Sequence, residues 1–140
     1  MMMKVKPFLA IALLSGAYIV PATLQAQDAS KPVAIQFAKG ASSKVIKGSI
    51  RGDQGRLYTI NIKAGQTLKV KLVTSNSSSY FNITAPGAQE ALFIGSTEGN
   101  SYSGVVPSSG NYTIDVYLMR NAARRNETAN YTLTVSATGK

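Results

Sequence analysis

The stretch Asn111-Tyr112-Thr113-Ile114-Asp115-Val116-Tyr117-Leu118-Met119-Arg120-Asn121-Ala122-Ala123-Arg124-Arg125-Asn126-Glu127-Thr128-Ala129-Asn130-Tyr131-Thr132-Leu133-Thr134-Val135 decides how the chain is read. Tyr112, Ile114, Val116 and Leu118 recur at every second position, with Thr113, Asp115, Tyr117 and Met119 between them; Tyr131, Leu133 and Val135 repeat the pattern. A period of two belongs to a strand whose successive side chains point to opposite faces. The sequence therefore predicts two half-buried strands, entered through a tight Pro107-Ser108-Ser109-Gly110 turn and joined as a hairpin by a loop over 120–130. Arg120 and Arg124, four residues apart, are expected to project to one side of that loop, as a pair of guanidiniums at the hairpin tip.

The same alternation extends upstream. Tyr58, Ile60 and Ile62 share one face, Lys63-Ala64-Gly65-Gln66 reads as a hairpin turn, and Leu68, Val70 and Leu72 share the next face. Residues 33–37 and 45–51 are two further strands, the second interrupted by Gly48, which is expected to mark a bulge. Short apolar runs at 81–83, 91–94 and 102–106 complete the set. Eight to nine short strands, Gly/Pro/Asn turns between them and no useful helical period predict an all-β fold, an antiparallel β-sandwich of jelly-roll-like form. A closed barrel is the alternative. Tyr58, Tyr112 and Tyr131 fall in phase with the apolar residues and are expected in the core, leaving Tyr80, Tyr102 and Tyr117 as candidates for stacking on a sugar.

Residues 1–26 differ from the rest: Lys4 and Lys6 precede an apolar run over 8–20, and a short segment ends on Ala26. That is the pattern of a secretory signal peptide, with cleavage expected after Ala26 and Ala22 as the other candidate site. The run is shorter than the roughly 20 residues a membrane span needs, so no stable membrane insertion is expected. With no cysteine there is no lipobox and no disulfide. The expected product is periplasmic or secreted, one domain over 27–140, and a monomer.

The chain carries 15 Lys and Arg against 6 Asp and Glu, a net +9 that falls to +7 without Lys4 and Lys6. Export, and the lack of aromatics interleaved with a basic stripe, argue against nucleic acid as the partner. Most sheet lysines, such as Lys69 and Lys71, alternate with apolar residues and read as a solvated face.

Histidine and cysteine are both absent, which removes the commonest general base, the thiol nucleophile and most zinc sites. The acids Asp28, Asp53, Glu90, Glu98, Asp115 and Glu127 are scattered singly, without a paired-carboxylate or EF-hand pattern. Ser43-Lys44 are neighbours on a strand and point to opposite faces. The chain reads as a non-enzyme with no cofactor and no metal. Asn-X-Ser/Thr tripeptides, as at Asn76, Asn82, Asn111 and Asn126, would be glycosylation acceptors in a eukaryotic secretory route, but such tripeptides arise often in Asn/Ser/Thr-rich β proteins. The Arg120/Arg124 pair is more pointed, because the planar guanidinium fork matches a carboxylate with two hydrogen bonds. The plain alternative is a solvated basic loop in which Arg125 is a third member and Glu127 the local counter-ion.

The run from Pro107-Ser108-Ser109-Gly110-Asn111-Tyr112 through Arg120-Asn121-Ala122-Ala123-Arg124-Arg125-Asn126 to Thr128 and Tyr131 resembles the bacterial periplasmic inhibitors of g-type (goose-type) lysozyme. Tyr58-Thr59, Lys63-Ala64-Gly65-Gln66, Leu68-Lys69-Val70 and Phe37-Ala38-Lys39-Gly40 fit the same pattern. The resemblance implies a small β-sandwich that sets loops from one end into the active-site cleft of a g-type lysozyme. By that likeness Arg120 and Arg124 enter the cleft and Ser109, on a neighbouring turn, adds a hydrogen bond, with Ser108, Asn121 and Arg125 as flanking contacts. Asp53 follows Gly52 where the family has an aromatic, and is a flanking contact in which an acid faces the enzyme's carboxylates. The Lys-Ala-Gly-Gln turn also occurs in sandwich modules of the pre-peptidase C-terminal kind, which gives the alternative of a non-catalytic module binding envelope glycan or polymer.

Overall fold

In the computed structural model, which describes residues 31–139, the alternating runs become strands, except that the run expected over 33–37 pairs only at Val33–Ala34. The order is β1 (Val33–Ala34), β2 (Ser43–Arg51), β3 (Arg56–Ile62), β4 (Thr67–Thr74), β5 (Ser79–Thr84), β6 (Phe93–Ile94), α1 (Gly95–Glu98), β7 (Ser101–Val105), β8 (Gly110–Leu118), α2 (Arg120–Arg124) and β9 (Thr128–Thr138). The strands form a five-stranded sheet, β1-β3-β8-β5-β6, and a four-stranded sheet, β2-β9-β4-β7. All pairings are antiparallel except β1 on β3. This is the expected all-β sandwich. The signal-peptide reading of residues 1–26 lies outside the described residues.

Each sheet turns its in-phase apolar residues to the other. Tyr112, Ile114, Val116 and Leu118 of β8 are buried, as are Tyr131, Leu133 and Val135 of β9, Tyr58, Ile60 and Ile62 of β3, and Leu68, Val70 and Leu72 of β4. Fully burying one such aliphatic or aromatic side chain contributes about 1.5–3 kcal/mol, which is why register is fixed without a disulfide. The three core tyrosines include one pair: the Tyr58 and Tyr131 hydroxyls share a buried hydrogen bond of 2.7 Å. Burial, and then that bond, push the Tyr131 phenol well above its ordinary pKa.

Two local expectations need correction. Neither β3–β4 nor β8–β9 is a hairpin, because in each case the two strands belong to different sheets. Alternation fixes which face of a strand is buried, and two inward faces are satisfied equally well by arching over the core or by pairing side by side. Here the chain arches at almost every connection. Gly48 is not a bulge: β2 pairs with β9 without a slip from Ser43↔Ser136 to Arg51↔Thr128. A Cβ at Gly48 would fall 2.5 Å from the Tyr131 hydroxyl oxygen, so the glycine makes room for that ring.

Candidate functional site

All five arginines of the protein, Arg51, Arg56, Arg120, Arg124 and Arg125, lie at one end of the sandwich. Three connections build that end: residues 52–55 after β2, 75–78 after β4, and 119–127 between β8 and β9. They are tied to one another. The Gly52 N–H donates to the Glu127 carbonyl (2.9 Å), the Met119 N–H to the Ser78 carbonyl (2.9 Å) and the Ser75 N–H to the Asn130 carbonyl (2.9 Å). Asn76 Nδ2 donates to the Glu127 carboxylate at 2.9 Å. No lysine occurs in these connections.

The region expected as an open loop over 120–130 contains the short helix α2, and its composition explains why. Ala122 is fully buried and Ala123 half-buried, so the small residues face the core while Arg120, Asn121, Arg124 and Arg125 face out. The helix ends in a Schellman arrangement: the Asn126 N–H donates to the Ala123 carbonyl (2.9 Å) and the Glu127 N–H to the Ala122 carbonyl (3.2 Å). Asn126 takes the left-handed conformation that closes it, with φ of 58°, and is the one non-glycine residue with positive φ among those described. Asparagine tolerates that conformation better than most residues. Gly52 packs beneath it, where a Cβ would come within 2.6 Å of the Asn126 side-chain amide. Arg51 Nε donates to the Asn126 carbonyl at 3.3 Å from the β2 side.

These ties sort the arginines. Arg125 is engaged by Glu127 at 2.8 Å, and the hydrogen bonds from Asn76 and then Arg125 hold the Glu127 carboxyl below its ordinary pKa. Arg51 leans on Asn126, and Arg56, on the inward-facing side of β3, has a buried Nε without a partner among the described residues. Arg120 and Arg124 remain. Both are exposed, one helical turn apart, and neither side chain forms an ion pair or hydrogen bond among the described residues. A turn separates such residues by about 5–6 Å at Cβ, so two forks stand side by side on a pinned frame. Asn121 lies between them, its side chain accepting from the Ala122 N–H at 2.9 Å. Asp53 is exposed at the neighbouring turn, in a shallow hollow with Arg51, Gln54 and Asn126. Among the described residues no group of His, Cys, Asp and Glu could hold a metal ion.

Ser109 and Ser108 do not join this cluster. They precede β8, whereas Arg120 follows it. Nine extended residues at about 3.3 Å each put roughly 30 Å between the two ends. Ser109 Oγ accepts the Ala64 N–H at 2.8 Å, fastening the 63–66 turn. The Ser108 carbonyl accepts the Tyr112 hydroxyl at 2.6 Å, so both serines serve the fold at the far end. Conversely, Arg51 and Asn126 are parts of the site that the sequence reading passed over; the Arg-Gly pair ending β2 was their one visible sign.

No protein-family profile matches the chain. An inhibitor of g-type lysozyme from Escherichia coli is 32% identical over 110 residues, covering 76% of this chain and 81% of that relative. A periplasmic lysozyme inhibitor of g-type lysozyme from Aeromonas hydrophila, known from its crystal structure, is 43% identical, with a TM-score of 0.70 over 76% of this chain and 96% of that one. The pre-peptidase C-terminal domain of a Bacillus anthracis collagenase is 18% identical, with a TM-score of 0.53 over 77% of this chain and 95% of that one, a likeness of fold alone.

Proposed function

The chain belongs to the family of bacterial inhibitors of g-type lysozyme, and on that footing we propose that it is a non-catalytic periplasmic protein that blocks a g-type lysozyme with the arginine end of its sandwich. One observation carries the reading: Arg120 and Arg124 are two neighbouring guanidiniums with no partner among the described residues, on a helix whose two ends are hydrogen-bonded to adjacent connections. A glycoside hydrolase cleft commonly presents carboxylates. A planar fork meets a carboxylate with two parallel hydrogen bonds, each charge-assisted contact contributing about 1.5–3 kcal/mol. Because α2 is already formed and pinned, little backbone freedom is lost on docking, and the ordering cost falls on the two side chains. Asn121 flanks the contact on α2 and Arg125 just beyond its end, Asp53 flanks it on the 52–55 turn, and Ser109 takes no part.

The test is a lysozyme assay with the purified protein, run in parallel on goose-type and chicken-type enzymes. Inhibition of the goose-type enzyme that saturates at one equivalent, and weakens by about tenfold or more on Arg120→Ala or Arg124→Ala, supports the reading. Undiminished goose-type activity in the presence of excess protein refutes it.

A further inference from the structure

The outer face of the four-stranded sheet has a composition that the arginine end does not explain. Lys69 lies in register between Ser136 and Ser103, Lys71 between Thr134 and Ser101, and Lys47 opposite Thr132, all three lysines exposed. Among the described residues no acid sits on this face. Asp53 and Glu127 belong to the arginine end, Asp115 lies on the outer face of the other sheet, and Glu90 and Glu98 are in or beside the connection from β5 to β7. Between the lysines are hydroxyls and three valines, Val45, Val73 and Val105, exposed at 59%, 59% and 65%. Two shallow hollows, one lined by Lys69 and Lys71 and the other by Lys47, lie across the face.

We propose that this face is a second binding surface, for peptidoglycan, with the lysines meeting the free carboxylates of its stem peptides and the hydroxyl rows its sugar strands. Lys69 and Lys71 are about 7 Å apart along β4, and Lys47 is two strands away, about 10 Å across the sheet. Cations spread over an open, wall-less surface match an extended polyanion better than one small anion enclosed from several sides. Hydroxyl rows supply hydrogen bonds to sugar hydroxyls, and the valines offer apolar contact for the ring faces. Lysine suits this use: its compact, flexible ammonium follows repeating charges without demanding the fixed geometry of a guanidinium. Because the face lies along the side of the sandwich and the arginines at its end, both can be occupied at once. Retention on the polymer would hold the inhibitor where a lysozyme works.

The experiment is co-sedimentation of the purified protein with isolated peptidoglycan sacculi, beside vesicles containing anionic phospholipid. Wild-type protein is expected to pellet with sacculi at low salt and to be released as salt rises. The triple variant Lys47→Gln/Lys69→Gln/Lys71→Gln is expected to bind sacculi about tenfold or more weaker while inhibiting lysozyme like wild type. Arg120→Ala/Arg124→Ala is expected to pellet normally while failing to inhibit. Wild-type protein that stays in solution overturns the proposal. So does equal loss of sedimentation in the arginine variant, which would place binding at the end, or equal capture by vesicles through the same lysines, which would make the face a membrane contact.

Discussion

At one end of the sandwich Ser109 accepts the Ala64 N–H across a turn and the Ser108 carbonyl accepts the Tyr112 hydroxyl; at the other, Arg120 and Arg124 hold nothing of their own chain among the described residues. Both ends are made of short arches between sheets. The far end uses its polar side chains to close its own turns. At the arginine end that work is done by backbone groups and by Asn76, Asn126, Arg51 and Glu127, which leaves two guanidiniums with unused hydrogen-bonding capacity. A side chain absorbed by the fold cannot also recognise a partner without loss, whereas a pinned but unpaired one can.

The largest effect should come from removing the unpaired forks. Arg120→Ala/Arg124→Ala should weaken inhibition of a goose-type lysozyme by about a hundredfold or more, as expected for two interface arginines, with the melting temperature unchanged. Replacing both by lysine sharpens the point: charge is kept and the fork lost, so inhibition should fall by about tenfold. Full retention in the lysine variant would mean that charge alone suffices.

Next is the frame beneath them. Asn126→Val forces a β-branched residue into the left-handed conformation at a cost of about 1–2 kcal/mol, and should lower both the urea midpoint and inhibition, whereas Asn126→Gly should stay close to wild type in both. At the far end, Ser109→Ala removes the acceptor for the Ala64 N–H and should cost about 1 kcal/mol of stability with inhibition within about twofold of wild type. A substantial loss of inhibition from Ser109→Ala would erase the distinction between the ends.

The smallest effect is one of pH. Glu127 has its folded pKa lowered by hydrogen bonds from Asn76 and Arg125, from an ordinary value of 4.5. The stability it lends is therefore present above that value and lost as pH falls through the lower folded one. Urea midpoints of wild type and Glu127→Gln should differ at neutral pH and converge on acidification below about pH 4.5.

Much of the fold was legible because burial imposes a period of two: every in-phase residue named from β3, β4, β8 and β9 is in the core. Topology was not, since alternation is blind to whether a connection pairs two strands or arches between sheets. Ser109 was misplaced for a different reason: the resemblance carried it to the arginines, although the whole length of β8, itself legible from alternation, separates them. The pairing of Arg120 and Arg124 was readable from spacing alone. Helix α2 itself was not, because five residues are too few for a helical period and its stop signal is an asparagine rather than a glycine. Ala122 and Ala123 were the available clue, two small residues between cations that mark the inward side of a turn.

Whether the arginine end is the surface that meets the enzyme can be read from hydrogen exchange of the protein alone and in complex with a goose-type lysozyme. New protection should be confined to residues 119–127 and the adjoining 52–55 turn, with 63–66 and 107–110 exchanging as in the free protein. Protection at the Ser109 end, with the arginine helix unchanged, would contradict that assignment.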